Sequence, residues 1–416
     1  METLSAAREA ALRTLYEIEV NGAYLNIALR KLLAEKRLSP RDNALATELT
    51  VGTVKNKLYL DNIISHLSNI KMKKISVWIL NVLRIGIYSI KFLDKIPVSA
   101  TVNECVRLAR RFGHGASAGF VNAVLRKSTE CGDFLPEEYV KKLSVKYSFP
   151  EWMVRMWEEY GEKFLASMNE KPQTFVRMNS LKTNTLGESF IKSDKAKFAY
   201  IYTGTGSVEN TSEFAGGLLT VQDAASQIAL ELLGDIKNMN VLDLCAAPGG
   251  KTTCLAQMME NTGKIVSCDI HTHKLELIKN NLKRMGVLNT EVLLNDALLY
   301  NMNFKSRFDR VIADVPCSGL GIIRRKPDIK WTKTYNDIKT LVPIQEKILD
   351  NAAEYVNKCG ILLFSTCTVT REENQNNVKR FLEKHTDFMP INEGKQFLPV
   401  HDGTDGFFVA AFRKKS

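Results

Sequence analysis

The pattern of hydrophobic and polar positions changes period along the 416-residue chain. Over residues 1–130, apolar side chains recur three and four positions apart. Examples are Ala10, Leu12, Leu15 and Ile18, then Leu45, Leu49, Val54 and Leu58. That spacing belongs to helices burying one face. The run from Ile75 to Phe92 is apolar on nearly every turn and predicts a helix buried on most sides, with Pro97 and Gly113-His114-Gly115 as punctuation. An all-helical domain is expected over 1–130. Past Cys131 the pattern breaks, and Pro136 and Pro150 each open a short amphipathic segment, the second carrying Trp152 and Trp157. Between 172 and 220, FVRMN and AYIYT read as strands separated by polar, glycine-containing stretches. The expectation for 131–220 is therefore linker helices and a small α+β region.

From Val221 to the end, short apolar runs alternate with helical patterns. The runs are VLDLCAA, KIVSCDI, TEVLLND, FDRVIADVP and GILLFSTC, and HKLELIKNNLKRMG is one of the helical patterns between them. This alternation predicts an α/β fold for 221–416, a Rossmann-like, mostly parallel, doubly wound sheet. Ligands of such sheets bind at the carboxyl ends of the strands. Those ends are where the unusual residues of this chain fall.

Composition narrows the class. A 45% apolar and 25% charged chain is that of a globular protein with sizeable cores. No apolar run approaches the roughly 18 residues of a membrane helix, so no membrane partner is expected. The first twenty residues, METLSAAREAALRTLYEIEV, carry charges throughout, unlike a secretory signal. The eight cysteines show neither CxxC pairs nor disulfide-like spacing, which points to reduced thiols, no metal site and a cytoplasmic protein. Cys105, Cys131, Cys254, Cys268 and Cys359 are expected in cores. The net charge of +11 favours a polyanionic partner. Residues 1–145 hold 22 Lys/Arg against 14 Asp/Glu, eight of the eleven surplus charges. Arg107, Arg110, Arg111 and Arg126 would give the helical domain a basic face for RNA, although a merely solvated basic surface has the same composition.

The candidate chemistry lies in five strand endings. The first strand runs out into Cys245-Ala246-Ala247-Pro248-Gly249-Gly250-Lys251 and then a helix, small residues that admit a ligand close to the backbone. The second ends at Asp269, placed to accept from a ribose diol, and the third at Asn295-Asp296, where an acid can meet an adenine amino group. The loop is neither G-x-G-x-x-G nor a P-loop, which disfavours a dinucleotide dehydrogenase and a phosphate cradle. S-adenosylmethionine fits better. The fourth strand ends in Asp314-Val315-Pro316-Cys317 and the fifth in Ser365-Thr366-Cys367. Carbon 5 of cytosine is a poor nucleophile until a thiolate adds at carbon 6, so two cysteines at this edge suit cytosine methylation. Asp314 is spaced to meet ring nitrogen 3. An amino methylase would instead carry an Asn/Asp-Pro-Pro-aromatic run and need no cysteine. Arg324, Arg325 and Lys326 follow closely and would hold phosphates, or else form a solvated loop. Trp331 is expected to pack beneath that loop rather than stack on a base.

These motifs resemble the RNA 5-methylcytosine methyltransferases of the Nop2/Sun type. FDRVIADVPCSG departs from the usual signature only at Ile312 and Val315, and DLCAAPGGKTT and STCTVTREEN look like the cofactor loop and second cysteine motif. RDNALATELTVGT and the stretch from Leu83 to Lys127 are similar to the NusB-like domain joined to bacterial 16S ribosomal RNA methylases. The resemblance implies that Cys367 is the nucleophile and that Cys317 assists proton removal and product release. It also implies that Cys245 to Lys251, Asp269, Asp296 and Asp314 hold S-adenosylmethionine. The implied substrate is cytosine 967 of small-subunit rRNA not yet assembled, and a monomer is expected. Two rival readings stand beside this one: an idle RNA-binding or antitermination module, and a DNA cytosine methylase in which Cys317 attacks.

Overall fold

A computed structural model describes residues 5–392 and 394–416. The chain forms two compact units: one of residues 1–169 with 325–332, the other of 170–324 with 333–416.

The first unit is all helix. Its main helices are Ala6–Asn21, Leu25–Lys36, Pro40–Lys55, Lys57–Leu67, Val77–Phe92, Val98–Phe112 and Ser117–Ser128, followed by Tyr139–Tyr147, Glu151–Met156 and Gly161–Ser167. Local signals set several ends. The hydroxyls of Ser39 and Ser76 accept the backbone N–H groups of Asp42 and Ile79, and Pro40 occupies the first turn. The periodic residues Leu12, Leu15, Leu49 and Val54 enter one core with Ile63, Val82, Ile85, Leu108 and Leu125. Asn56 separates two helices within the second periodic set, so Leu58 belongs to the next helix and is only half-buried. Arg84, in the helix predicted to be buried, is made tolerable by its partners. It donates to both Asp61 oxygens at 2.6 and 2.7 Å, to Glu19 at 2.7 Å and to Asn81 at 3.0 Å.

Residues 325–332 belong to this unit although the sequence places them after the Pro-Cys motif. Lys330 is 1% exposed. Its ammonium donates to the carbonyls of Lys55 and Ser148, both at 3.1 Å, and to Asn169 Oδ1 at 2.7 Å, and it lies 3.7 Å from the Phe149 ring centroid. Asp328 accepts the N–H of Leu25 at 3.3 Å. Trp331 donates its indole N–H to Val54 O at 2.7 Å and packs against the helical core, the packing role expected of it.

The second unit opens with a four-stranded antiparallel sheet ordered β2-β3-β1-β4. Its strands are β1 Phe175–Met178, β2 Phe190–Lys192, β3 Ala199–Tyr202 and β4 Leu219–Val221. The larger sheet contains β5 Asn240–Asp243, β6 Lys264–Asp269, β7 Thr290–Leu294, β8 Phe308–Asp314, β9 Val356–Thr366, β10 Phe388–Pro390, β11 Lys395–Phe397 and β12 Phe407–Lys414. Its order is β10-β12-β9-β8-β5-β6-β7, with β11 paired to β12. Strands β5 to β9 are parallel and β12 runs antiparallel to β9. The chain moves outward from β5 to β7 and returns to β8 beside β5, so the strand order reverses between β5 and β8. A ligand crevice opens at such a point. Apolar layers cover both faces, one centred on Val311, Leu362 and Phe364 and the other on Val241, Leu255 and Leu363.

Cys105, Cys254 and Cys268 are buried, Cys131 is partly so, and Cys359 is exposed. The last departs from the expectation. Cys359 takes a left-handed conformation (φ 61°) within β9, beside the irregular register between β8 and β9, and its side chain leaves the core.

Asp243, at the end of β5, is fully buried. It accepts from Thr252 Oγ1 at 2.8 Å through one oxygen, while the other has no partner among the described residues. Burial pushes its carboxyl up to about 7, outweighing the Thr252 hydrogen bond. The neutral form is thus favoured on folding, and stability falls as pH rises from the ordinary carboxyl range through about 7. Asp243→Asn should therefore melt at a temperature that rises relative to the unmutated chain between pH 5 and pH 8, measured by scanning calorimetry. In the first unit, Lys330→Met should cost about 3 kcal/mol in denaturant melts, because it leaves a set of buried oxygens without donors.

Candidate active site

The crevice is built by strand ends at successive places in the sheet. After β5 the chain turns through Leu244–Pro248 into the helix Gly250–Met258, with Gly249 at φ 99°. That conformation strains any residue with a side chain, which is why glycine stands there. The Gly249 N–H donates to Ala246 O at 2.7 Å, closing the turn. Arg177 of β1, missed in the sequence, fixes the same turn from behind. Fully buried, it donates to the Gly250 carbonyl at 2.9 Å, to Thr253 Oγ1 at 2.7 Å, to Gln257 Oε1 at 3.2 Å and to Gln222 Oε1.

A cavity of about 300 Å³ lies in front of the turn. Of the residues expected at the cofactor, Cys245, Ala247, Asp269, Asp296 and Asp314 line it. Ala246, Pro248, Gly249, Gly250 and Lys251 do not, and shape the loop instead. Asp269 accepts the His271 N–H at 3.0 Å and Asp296 that of Leu298 at 2.9 Å, so each carboxylate is held facing the cavity by its own turn. Ile270, Ala297, Ile344 and Ile348 supply apolar walls. Asn295, also on the wall, has an Nδ2 with no acceptor among the described residues. Apolar walls for a purine, acids for hydroxyl and amino donors, and no cluster of cations for phosphates fit S-adenosylmethionine.

Beyond the cavity stand the two cysteines. In the parallel pairing of β8 with β9, Asp314 is level with Ser365, and each strand then turns into a cysteine-bearing loop. Cys317 Sγ and Cys367 Sγ are 3.2 Å apart, and the Cys367 N–H donates to Cys317 Sγ at 3.3 Å. Both side chains are half-buried and unbonded to each other. The contact with the Cys367 sulfur, and then burial, raise the Cys317 thiol well above the usual range, so Cys317 holds its proton at neutral pH. Burial, with a further push from nearby carboxylates, raises the core thiols of Cys105 and Cys268 to about 12.

Asp314 is held from two sides, by Lys251 Nζ at 2.6 Å and Ser365 Oγ at 2.7 Å. Lys251 pays for burial, which lowers its affinity for a proton, but Asp314 more than offsets this and keeps it charged. Sequence spacing had grouped Lys251 with the cofactor loop, whereas it turns toward Asp314 and lies over the Phe407 ring.

The clamp on both cysteine loops is Glu373, which is fully buried. It accepts from the N–H and hydroxyl of Ser318 at 2.8 and 2.6 Å, from Thr370 Oγ1 at 2.8 Å and from Gln345 Nε2 at 2.9 Å. Ser318 Oγ in turn meets Thr368 Oγ1 at 2.7 Å. The residue after each cysteine is therefore tied to the other. Gly321 adds a backbone tie, its N–H on Cys367 O at 3.0 Å, and a Cβ there would sit 1.9 Å from Gly406 O. The STCTVTREEN stretch was legible in the sequence, but nothing in it marked Glu373 as the member that turns inward.

The expected RNA contacts fare unevenly. Arg324 is 6% exposed and donates to Thr404 O at 2.7 Å and Asp405 at 3.3 Å, so it braces the catalytic loop and does not present its charge to solvent. Arg325 is half-buried and Lys326 exposed. Arg107 and Arg111 pair with Glu104 and Glu9, at 3.0 and 3.1 Å. Arg126 donates to Asn122, and Arg110 is exposed. No cluster of potential metal ligands occurs among the described residues, and no described helix is long and apolar enough to cross a membrane.

Comparison with known proteins agrees with this geometry. Residues 230–413 match the family described as 16S rRNA methyltransferase RsmB/F, and residues 5–130 match the NusB family. The probable ribosomal RNA small subunit methyltransferase B of Bacillus subtilis (strain 168) is 36% identical over 446 residues, covering 99% of both chains. Its namesake in Vibrio cholerae serotype O1 is 30% identical, covering 98% of this chain and 97% of the relative. The crystal structure of PH0851 superposes with a TM-score of 0.83 at 25% identity, covering 100% of both chains. The chain belongs to the RsmB/F family of 16S rRNA methyltransferases, and it is an RNA methyltransferase that takes its methyl group from S-adenosylmethionine.

Proposed function

We propose that the enzyme methylates carbon 5 of a cytosine in unassembled small-subunit rRNA through a covalent Cys367 adduct at carbon 6, and that the cytosine is the one numbered 967. The observation that carries this reading is the pair of sulfurs 3.2 Å apart, beside Asp314 and next to the cofactor cavity. Two thiols at one base serve a reaction that needs both a nucleophile and a proton acceptor. Bound S-adenosylmethionine, held by Asp269, Asp296 and the loop from Cys245, supplies an electrophilic methyl group.

The Cys367 thiolate adds to carbon 6, and the electron pair of the ring double bond moves toward carbon 5 and nitrogen 3. Asp314, fixed by Lys251 and Ser365, relays a proton from the Lys251 ammonium to nitrogen 3, which neutralises the negative charge that develops there, and returns it when the ring double bond re-forms. Adduct formation removes the free Cys367 sulfur whose contact raised the Cys317 thiol, so Cys317 then gives its proton to solvent, and once carbon 5 carries the methyl group the Cys317 thiolate takes the carbon 5 proton. The double bond re-forms and Cys367 leaves as thiolate. Because the target base must leave its stack, single-stranded or loosely folded RNA is the expected form. Arg325, Lys326 and Arg110 are the candidate phosphate contacts. The expected setting is a monomer in the cytoplasm with no metal ion.

With labelled S-adenosylmethionine and a small-subunit rRNA fragment, Cys367→Ala should give neither product nor adduct. Cys317→Ala should accumulate a covalent RNA–protein complex on denaturing gels. The reverse pattern would overturn the assignment of roles, and label in DNA but not RNA would overturn the substrate. Glu373→Gln, which weakens the clamp without touching either sulfur, should lower kcat by roughly ten- to a hundredfold. Its KM for S-adenosylmethionine should stay unchanged in steady-state assays.

A further inference from the structure

Cys317 Sγ and Cys367 Sγ, free thiols 3.2 Å apart, stand close to the separation of a covalent pair, whose sulfurs lie about 2.05 Å from each other. A closure of about 1 Å joins them. Their backbones are already held together. Ser318 and Thr368, the residues after the two cysteines, meet through their hydroxyls at 2.7 Å, and the Gly321 N–H donates to Cys367 O at 3.0 Å. Asn374, fully buried, braces Cys367 on both sides. Its Oδ1 accepts from Thr366 Oγ1 at 2.6 Å and its Nδ2 donates to Thr368 O at 3.1 Å. Chain entropy, the usual obstacle to joining residues fifty positions apart, has therefore been lost already in folding.

Cys105, Cys254 and Cys268 lie in cores, away from any dissolved oxidant. Cys317 and Cys367 are half-buried and stand where a pyrimidine has to enter. Hydrogen peroxide is smaller than a pyrimidine and reaches the same sulfurs. Cys317 holds its proton beside the Cys367 sulfur, so Cys367 is the one oxidised first.

We infer that Cys317 and Cys367 form a reversible disulfide with hydrogen peroxide as oxidant, and that this bond switches methyl transfer off. The Cys367 thiolate attacks one peroxide oxygen, the O–O bond breaks, and the departing hydroxide takes a proton and leaves as water. Cys367 is then a sulfenic acid. The Cys317 sulfur attacks the Cys367 sulfur, its proton joins the expelled hydroxide as a second water, and the S–S bond closes. The two sulfurs give up two electrons, and the peroxide is reduced to two waters. While the bond stands, neither sulfur can add to carbon 6 or accept the carbon 5 proton. Neither cysteine lines the cofactor cavity, so S-adenosylmethionine still binds. The loss of activity rests on the reading given above, that this pair carries the chemistry; formation of the bond does not.

The full chain, treated with hydrogen peroxide, alkylated and digested without reductant, should yield two peptides joined through Cys317 and Cys367. Methyl transfer to a small-subunit rRNA fragment should fall roughly tenfold or more and return with dithiothreitol. The Kd for S-adenosylmethionine, from titration calorimetry, should stay unchanged. Cys359→Ser should respond in the same way, which separates the switch from the exposed thiol. In Cys317→Ala, Cys367 has no partner and should proceed to the sulfinic acid, which dithiothreitol does not reverse. Both cysteines still open to alkylation after peroxide, Cys367 over-oxidised in the unmutated chain, or a linkage through another cysteine would overturn the inference and leave the proposed reaction standing. The joined peptides in fully active enzyme would overturn both.

Discussion

The site depends on the parallel register of β8 with β9. Asp314 lies level with Ser365, so the strands deliver Cys317 and Cys367 to the same edge of the sheet, and the sulfurs meet at 3.2 Å. A slip of one residue would turn every side chain of one strand to the opposite face and part the pair. The register is secured by the buried layers on both sides, with Val311, Leu362 and Phe364 in one and Ile312 and Leu363 in the other. The proposed chemistry, with two thiols at one carbon–carbon bond, would thereby be set by hydrophobic packing beneath the site.

Within each unit the protein buries several polar and charged groups and satisfies most of them in full. Glu373 receives four hydrogen bonds and joins the two cysteine loops. Arg177 joins the small sheet to the cofactor turn. Lys330 fills a cage of oxygens within the helical unit. An incompletely paired group of this kind costs more than an apolar one, so each network specifies one arrangement of its loops. Asp243 is one of the exceptions. One of its oxygens is unpaired, and its carboxyl stays protonated up to about pH 7.

The alternation of strands and helices after Val221, and the placing of Cys317, Cys367, Asp269, Asp296 and Asp314 at or just after strand ends, were legible in the chain. Alternating apolar runs fix strands locally, and a turn at a strand's carboxyl end carries its own small residues and acids. The chain alone also gave the helical character of 1–130 and the basic surplus there. Tertiary structure decided what depends on partners distant in sequence. Glu373 became the clamp because Ser318, fifty-five residues earlier, is brought to it. Arg324 was drawn inward by Thr404 and Asp405 about eighty residues later, so a charge that reads as solvent-facing became a brace. Lys251 was turned toward Asp314, sixty-three residues later. Lys330 and Trp331 joined the helical unit from a segment inserted in the catalytic part of the chain. Periodicity reports only which face of an element is apolar. The partner that neutralises a charge is chosen by long-range packing, and no local pattern encodes it.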